Sequence, residues 1–288
     1  MQLVRYRTGR QPEVQIGICR DGLVTRLPGV GSLAELWSLP LDQLRARLDA
    51  STGDGGADLS TVELLAPVDG RTEVWAAGVT YQTSREARVE ESERAATVYE
   101  LVYDAPRPEL FLKSVAWRVV GSGGAIGIRE DSTVDVPEPE LALVVNRYGE
   151  IVGYTVCDDV SSRSIEGENP LYLPQAKLFH GCCGLGPWIR PAWEVPDPYD
   201  LGIEMEIRRD GRLVWSGGAS TALLHRRLDD LVGYLMRGDV HPDGVILSTG
   251  TCLVPPAPFS LAAGDTVQIT IAGVGTLANT VTRGRPAH

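Results

Sequence analysis

Two glutamates two residues apart open an apolar run, and two aspartates close the run that follows it. The segment ELALVV, residues 140–145, is typical of a buried strand. Glu140 is its first residue, and Glu138 lies two residues before it. Side chains two apart on a strand point to the same face, so both carboxylates should face one way. The run IVGYTV follows directly, which indicates a hairpin. A two-residue loop at 148–149 would put Asp159 opposite Glu138 and turn Asp158 away, whereas a three-residue loop would exchange the two aspartates.

Three carboxylates that converge in this way could bind a metal ion. Without a counter-charge, mutual repulsion should keep at least one of them protonated. A cluster of oxygen ligands without His or Cys suits a hard cation, so we expect Mg²⁺, or alternatively Mn²⁺ or Ca²⁺. The metal ligands predicted here are Glu138, Glu140 and Asp159. A solvated acidic strand edge is the alternative that the spacing alone leaves open.

The composition excludes several classes of partner. The net charge of the 288 residues is −11, from 27 basic and 38 acidic side chains without a basic cluster, so nucleic acid is not an expected partner. No apolar run approaches the roughly 18 residues of a membrane span, and the N-terminus lacks the apolar core of a signal peptide. Five cysteines without a C-x-x-C spacing are typical of reduced thiols. We therefore expect a cytoplasmic protein that does not bind membranes.

The elements that must position the carboxylates divide the chain into two parts. Residues 1–68 contain three short alternating runs and two short helices separated at Pro40, which predicts a small αβ cap domain. Residues 69–288 then form the larger catalytic domain. Its strands alternate with long loops and few helices, which argues against a doubly wound fold. The expected fold class is a β-rich α+β protein, with strands rolled into a barrel-like structure around the metal.

Four further residues are candidates for binding or catalysis. Arg85, at the start of a charged helical pattern, could clamp a substrate carboxylate or pair with a nearby glutamate. Gly250 ends the strand VILSTG and would let the backbone approach a ligand, and Thr251 adds a hydroxyl. Lys177 ends the segment SSRSIEGENPLYLPQAK, which we expect to be a long functional loop. Near a cation, its pKa could fall far enough for it to act as a base, although an ion pair with a neighbouring glutamate would also explain it.

Several of these segments resemble one known family. The motifs PEPELALVV, GYTVCDDVSSR, QAK, CGLGPW and LSTGT occur in this order from about residue 74 to the C-terminus. Together they resemble the fumarylacetoacetate hydrolase superfamily. The resemblance implies a barrel or roll, a divalent cation held by the E-x-E pair and an aspartate, and a homodimer or higher homo-oligomer. It also implies that the turn at Gly250 and Thr251 holds the carboxylate end of the substrate.

Two differences from the pattern of the superfamily's hydrolases make a reaction other than simple hydrolysis the expected one. Hydrolases of the superfamily carry G-x-N-Y-x-x-H-x-x-E, whereas this chain reads GVTYQTSREA, with Thr80 in place of the Asn and Ser84 in place of the His. The segments PELFLK and IEGENPLYLPQAK resemble the 2-keto-3-deoxy-arabinonate dehydratases. In those enzymes a glutamate at the position of Glu109 and a lysine at the position of Lys177 serve the chemistry.

The sequence therefore predicts an enzyme, a divalent-metal-dependent hydro-lyase. Its expected substrate is a small-molecule 2-keto acid, a 2-keto-3-deoxy sugar acid such as 2-keto-3-deoxy-arabinonate, whose C3 proton leaves to give a metal-stabilised enolate. Lys177 would be the base, and Glu109 would handle the proton on the departing hydroxyl. The alternatives are a metal-dependent C–C hydrolase or decarboxylase of an acylpyruvate or oxaloacetate-type substrate, and a catalytically silent relative that binds a ligand.

Overall fold

A computed structural model describes residues 1–9, 11–51, 56–82 and 101–284. The strands in chain order are β1 (Gln2–Thr8), β2 (Gln11–Arg20), β3 (Leu23–Arg26), β4 (Ala57–Asp58), β5 (Val62–Leu64), β6 (Glu73–Gly78), β7 (Glu109–Val115), β8 (Ala125–Ile128), β9 (Asp135–Val136), β10 (Pro139–Val145), β11 (Ile151–Asp159), β12 (Ser161–Ser162), β13 (Cys183–Pro191), β14 (Gly202–Arg209), β15 (Arg212–Ser220), β16 (Val245–Ser248), β17 (Thr266–Ile271) and β18 (Gly275–Arg283). The α-helices that lie wholly within the described residues are α1 (Leu33–Trp37), α2 (Leu41–Asp49), α3 (Arg163–Glu168), α4 (Leu173–Lys177) and α5 (Leu228–Gly238).

Most strands belong to one large sheet. Its 11 strands follow the order β4-β3-β2-β1-β13-β11-β10-β16-β6-β7, with β5 paired to β1 outside this path. The N-terminal strands join the rest where β1 pairs with β13, at Leu3 and Ile189. A second sheet has the order β15-β14-β17-β18-β8, and β9 pairs with β12 separately. The hairpin β10–β11 therefore lies in the interior of the large sheet.

The large sheet is covered on both faces. Leu141, Leu143 and Val145 of β10 pack in a core with residues of the second sheet and of α5. Ala142 and Val144, which alternate with them, pack on the other face with residues of α1 and α2. All seven residues of β10 are buried as a result. A strand buried on both faces gives a rigid base for the side chains at its end.

The register of the hairpin is the predicted one, although its loop is not. Three residues, 147–149, separate the paired residues Asn146 and Glu150, whereas a two-residue loop was predicted. Val145 then pairs with Ile151 and Val144 with Gly153, so one extra residue of β11 forms a bulge. The extra residue in β11 compensates for the extra residue in the loop, so the pairing of the residues beyond the bulge is the one predicted. The backbone N–H of Asp159 consequently donates to the carbonyl of Glu138 at 3.0 Å.

The segment that ends at Lys177 is not the long loop that was predicted. It forms α3 and α4, joined by a short 3₁₀ turn at Pro170–Tyr172. The Ser162 hydroxyl accepts from the backbone N–H of Ile165 and caps α3. The Asn169 side chain likewise accepts from the N–H of Leu171 at the start of the 3₁₀ turn. These caps stabilise two helices that are too short to show a clear apolar period in the sequence.

The fold class is as predicted, with few helices and mixed β-sheets. The strands of the large sheet follow an open path from β4 to β7, so the described residues form a roll and not a closed barrel. No helix in the described ranges is long and apolar enough to cross a bilayer. The division at residue 68 stays a prediction, and strands from both sides of it share the large sheet.

Candidate active site

The three predicted metal ligands lie together at one end of the central hairpin. Glu138 precedes β10, Glu140 is its second residue and Asp159 ends β11. All three side chains are buried, and one oxygen atom of each lies within 4.8 Å of the others. We call these residues the acidic triad. They line a cavity of about 10 Å³, which has room for roughly one ion or water molecule. Three larger surface cavities, of 380, 480 and 590 Å³, contain none of the predicted site residues.

Asp158 lies outside the triad, as the predicted register requires. Its Oδ1 accepts from the backbone N–H of Glu138 at 3.1 Å, and its side chain is buried. Burial raises the pKa of Asp158 to about 8, and the nearby Asp159 and Glu138 carboxylates add to the effect. Burial therefore favours the protonated form of this carboxyl group.

Glu138 is held by two cations from the helical segment. Nη2 of Arg163, at the start of α3, donates to its Oε1 at 2.5 Å. Nζ of Lys177, at the end of α4, donates to its Oε2 at 2.6 Å. Each of the two short helices thus directs a positive charge at the Glu138 carboxylate. Such buried pairs form only where the geometry compensates for the loss of hydration.

Asp159 is held by the two lysines of the chain. Lys113 Nζ lies 2.5 Å from its Oδ1, and Lys177 Nζ donates to its Oδ2 at 3.1 Å. Lys113 also donates to the backbone carbonyls of Val160 and Lys177. Burial alone would lower the pKa of Lys113, but the Asp159 carboxylate outweighs it and the pKa is raised overall. Lys113 is thus a fixed positive charge beneath the site.

A β-bulge aims Lys113 at the site. Val74 pairs with Ser114 and Trp75 with Leu112, so Lys113 is the extra residue of β7. Bulges of this kind re-aim a side chain and often lie beside active sites. The contacts of Lys113 make it part of the frame that holds Asp159.

Glu140 is held by neutral donors. The Ser248 hydroxyl donates to its Oε2 at 2.5 Å, and the backbone N–H of Gly250 donates to the same oxygen at 2.8 Å. Burial, together with the nearby Asp159 and Glu138 carboxylates, raises the pKa of Glu140 to about 8. A divalent cation between the three groups would oppose this effect and favour the ionised form. The donor set, oxygen atoms only, therefore fits a hard cation.

β7 brings Phe111 to the same cavity and Glu109 close to it. Gly78 lines the cavity and pairs with Glu109, and a Cβ added at Gly78 would collide with the Glu109 carboxylate. Phe111, two residues further along β7, lines the cavity and places its ring centroid 5.7 Å from Lys177 Nζ. Of the two predicted catalytic residues, Lys177 therefore lines the cavity and Glu109 contacts a residue that lines it.

The predicted substrate-binding residues have different outcomes. Gly250 and Thr251 line the cavity. The Gly250 N–H is directed to Glu140, and the Thr251 hydroxyl donates to the carbonyl of Pro139 at 3.0 Å, so both contact the strand that carries the glutamates. Arg85 lies outside the described residues, as does Ser84. A role for these residues in holding the substrate stays a prediction.

Three contacting residues were missed by the sequence reading. They are Phe111 at the wall of the cavity, Ser248 on Glu140, and Ser161, whose hydroxyl accepts from Lys177 Nζ at 2.5 Å. Phe111 has a signal in the sequence, because the period of two on β7 places it on the face of Glu109. Ser161 and Ser248 have none, since buried serines are common and their partners are distant in sequence.

We expect Gly250→Ala to damage the site more than the same change at Gly264. Both glycines have φ of +91°, so both variants carry the cost of a left-handed alanine, about 1–2 kcal/mol. A Cβ at Gly250 would also collide with the Thr80 hydroxyl, whereas nothing lies within 4 Å of one at Gly264. Gly250→Ala should therefore lose a further ~1–3 kcal/mol of unfolding free energy and weaken Mg²⁺ binding. Urea denaturation and titration calorimetry measure both, and equal losses for the two variants would contradict this reading.

Comparison with protein families gives one match over most of the chain. Residues 73–282 match the family model described as fumarylacetoacetate (FAA) hydrolase C-terminal. A probable 2-keto-3-deoxyxylonate dehydratase of Haloferax volcanii is 53% identical over 257 residues, which cover 88% of this chain and 87% of that protein. A 2-dehydro-3-deoxy-D-arabinonate dehydratase of Saccharolobus solfataricus is 44% identical over 230 residues, covering 79% and 77%.

Solved structures agree with these matches. A 2-keto-3-deoxy-D-arabinonate dehydratase complexed with magnesium and 2,5-dioxopentanoate superimposes with a TM-score of 0.86 at 36% identity, over 99% of this chain and 100% of that one. Another crystal form of a 2-keto-3-deoxyarabinonate dehydratase gives a TM-score of 0.88 at 37% identity, with the same coverage. On the family match, the identities and the shared fold, the chain belongs to the fumarylacetoacetate hydrolase family.

Proposed function

We propose that the protein is a divalent-metal-dependent dehydratase of a 2-keto-3-deoxy sugar acid. One observation supports the proposal most: Lys177 lines the cavity of the acidic triad, and the Glu109 carboxylate lies against Gly78, which lines the same cavity. A base and an acid close to one cation site suit the removal of a proton and a hydroxyl from neighbouring carbons. The relatives at 44–53% identity are dehydratases of this substrate class, which supports the proposal.

The acidic triad is the proposed holder of the cation, with Mg²⁺ the expected ion. A bound Mg²⁺ would polarise the 2-keto carboxylate of the substrate and so acidify its C3–H. Each carboxylate of the triad contacts a donor from elsewhere in the chain, so little rearrangement is needed to orient it. Orientation by such contacts is the usual support of a metal site.

Lys177 is the proposed base for the C3 proton. Its Nζ contacts Glu138, Asp159 and the Ser161 hydroxyl, which together fix its position at the cavity. The Phe111 ring forms an apolar wall 5.7 Å from the same nitrogen and limits access of water to it. In its neutral form Nζ takes the C3 proton.

Glu109 is the proposed acid for the departing hydroxyl on C4. It is the first residue of β7, and its carboxylate rests against Gly78. A glycine at that position leaves the space that the carboxylate occupies, because a Cβ there would collide with it. A protonated Glu109 would donate to the hydroxyl as it leaves as water, so the elimination is complete without an external acid.

The reaction is tested by mass spectrometry of the products. We expect incubation with Mg²⁺ and 2-keto-3-deoxy pentonates to yield one product lighter than the substrate by a single water. A metal-free incubation in EDTA is the control and should yield no product. Two carbon fragments from an acylpyruvate, without water loss from any deoxy acid, would contradict the proposal. Comparing the two enantiomers at C4, the only stereocentre of a 2-keto-3-deoxy pentonate, identifies the preferred substrate; the arabinonate and xylonate names of the relatives differ only at the two carbons that are no longer stereocentres.

We further propose a cytoplasmic homodimer or larger homo-oligomer, without a nucleic-acid or membrane partner. All five cysteines are buried free thiols, which is the state expected in a reducing compartment. Size-exclusion chromatography with light scattering should give at least twice the chain mass of 31.1 kDa. A mass near that of one chain at assay concentration would contradict the oligomer.

A further inference from the structure

Val79 has a backbone conformation that valine rarely adopts. Its φ is +52°, in the left-handed region, where a β-branched side chain is a genuine outlier. Within the described residues, the other non-glycine residues with positive φ are Asp21 and Asp210. Each of these is followed by a glycine in a two-residue hairpin turn, where aspartate tolerates this conformation. Val79 is not in such a turn, and it lines the cavity of the acidic triad.

The residues on both sides of Val79 fix the chain in this conformation. Before it, Gly78 ends β6 and pairs with Glu109. After it, the Thr80 hydroxyl donates to the carbonyl of Thr249 at 2.6 Å, and the Thr80 side chain is fully buried. Strained backbone that its surroundings hold in this way is concentrated at active sites and ligand contacts. The conformation of Val79 therefore indicates a functional position.

Val79 also has a firm apolar support. It is 3% exposed and packs with Val102 and Tyr103. The Tyr103 ring stacks on His225 with the ring centroids 4.2 Å apart. Nη2 of Arg226 donates to the carbonyls of Val102 and Tyr103, at 2.6 and 3.1 Å. Val79 therefore cannot move aside for a larger ligand without disturbing these contacts.

We propose that Val79 limits the substrate to five carbons. The inference rests on the proposed function, in which Lys177 acts at C3 of the 2-keto acid and Glu109 acts at C4. The Glu109 carboxylate lies against Gly78, so Val79, the next residue, is placed beside the space for C5. Its apolar side chain offers the additional hydroxymethyl group of a six-carbon acid neither space nor a hydrogen bond. A hydroxyl that is buried without a partner is unfavourable.

Steady-state kinetics with acids of two lengths tests this role. The wild type with Mg²⁺ should dehydrate 2-keto-3-deoxy pentonates with a kcat/KM at least about tenfold higher than 2-keto-3-deoxy hexonates, since one carbon in an apolar pocket changes kcat/KM by about 10–200-fold. Val79→Ala removes two methyl groups, so the hexonate-to-pentonate ratio of kcat/KM should rise about tenfold or more. For the pentonate, the loss should appear mainly as a higher KM, because the variant loses a wall contact and no proton-transfer group.

Val267→Ala is the matched control for the kinetics. Val267 is a buried valine of β17 in the second sheet, and its replacement should leave the ratio unchanged. If Val79 were only a structural residue, Val79→Ala would lower kcat/KM for both acids in proportion. Val79→Gly is the second variant, in case Val79→Ala does not fold by circular dichroism, and it should shift the ratio in the same direction.

Thermal unfolding in EDTA tests the strain without measuring activity. Glycine adopts positive φ freely and alanine does not, so Val79→Gly should melt at a higher temperature than Val79→Ala. At Val267 the order should be reversed, because glycine within a strand is less stable than alanine. If alanine gives the more stable variant at both positions, the strained conformation of Val79 is wrong.

The outcomes separate this inference from the proposed function. If the wild type removes water from no deoxy acid of either length, the proposed function is wrong and the role of Val79 falls with it. If it dehydrates pentonates but uses hexonates equally well, only the role of Val79 is wrong. The same conclusion follows if neither variant at Val79 shifts the ratio. A shifted ratio at Val79 and an unchanged ratio in Val267→Ala would support the inference.

Discussion

Replacing Glu109 by Gln is expected to lower kcat for the dehydration by about 10²–10⁴-fold, the range typical of a lost general acid. The amide keeps the size of the side chain and its packing against Gly78, but it cannot give a proton to the departing hydroxyl. Affinity for Mg²⁺ should stay within about twofold, because Glu109 is not a member of the acidic triad. Steady-state kinetics and titration calorimetry measure the two quantities separately.

A matched control for Glu109→Gln is available on the neighbouring strand. Glu73 begins β6, and its carboxylate accepts from the indole N–H of Trp75 at 2.8 Å, away from the cavity. Glu73→Gln should leave kcat unchanged. A pair of variants with equal kcat would remove Glu109 from the mechanism, and a large loss of Mg²⁺ affinity in Glu109→Gln would make it part of the metal site.

Replacing Lys177 by Met should lower kcat by a similar factor, about 10²–10⁴-fold, while Mg²⁺ still binds. The variant has no amine to take the C3 proton, and methionine has nearly the same length. Glu138 and Asp159 each lose one donor, but Arg163 and Lys113 still contact them. Without Lys177 the two carboxylates interact with one positive charge fewer, so Mg²⁺ affinity should be unchanged or higher.

Thermal unfolding measures how far the loss of Lys177 destabilises the protein and how far Mg²⁺ reverses that loss. Leaving buried carboxylates short of a counter-charge costs about 3–5 kcal/mol, so Lys177→Met in EDTA should melt well below the wild type. Mg²⁺ should restore much of the loss, because an ion that binds only the folded state stabilises it. Ser161→Ala is the milder comparison, since it removes an acceptor of Lys177 but keeps the amine. If Lys177→Met keeps its kcat, Lys177 is not the base.

The acidic triad could be predicted because the information is local. Glu138 and Glu140 share a face by the period of two, and the sum of paired positions along the hairpin placed Asp159 beside them. The loop itself was predicted one residue too short. The bulge near Val152 restored the register, and bulges have no reliable signal in a single sequence. The prediction that Asp159 lies opposite Glu138 therefore holds, although the loop length from which it was made is wrong.

Helix boundaries were harder to predict because tertiary contacts set them. The segment TALLHRRLDDLVGYLMRG, residues 221–238, has an amphipathic pattern that predicts one continuous helix, whereas α5 begins at Leu228. Before it, Leu224 forms a β-bridge with Tyr81, and the N–H of His225 donates to the carbonyl of Thr80. These contacts hold the chain extended where its own pattern favours a helix. Local periodicity cannot report a competitor that is distant in sequence.

The contacts that hold the triad could not be predicted either, because they also join residues that are distant in sequence. Ser248 and Glu140 are 108 residues apart, and only the pairing of β16 with β10 brings them together. Lys113 reaches Asp159 through a bulge in a strand at the far end of the sheet order. The sequence alone indicates which residue types could bind a cation or transfer a proton. Which donor holds which oxygen follows from strand order, and that order was not predicted.

The two lysines of the chain have a practical consequence beyond the reaction. Both side chains are buried at Asp159, so the outer surface offers amine-directed reagents no lysine to modify. Dyes, cross-linkers and activated resins that target lysine should leave the native protein almost unlabelled apart from its N-terminal amine, and a label that attaches to either lysine reports an opening of the site. Incorporation of nitrogen-15 lysine would likewise give only two side-chain signals in a magnetic resonance spectrum. Both signals come from the active site, so they would follow ion and substrate binding without interference from the rest of the molecule.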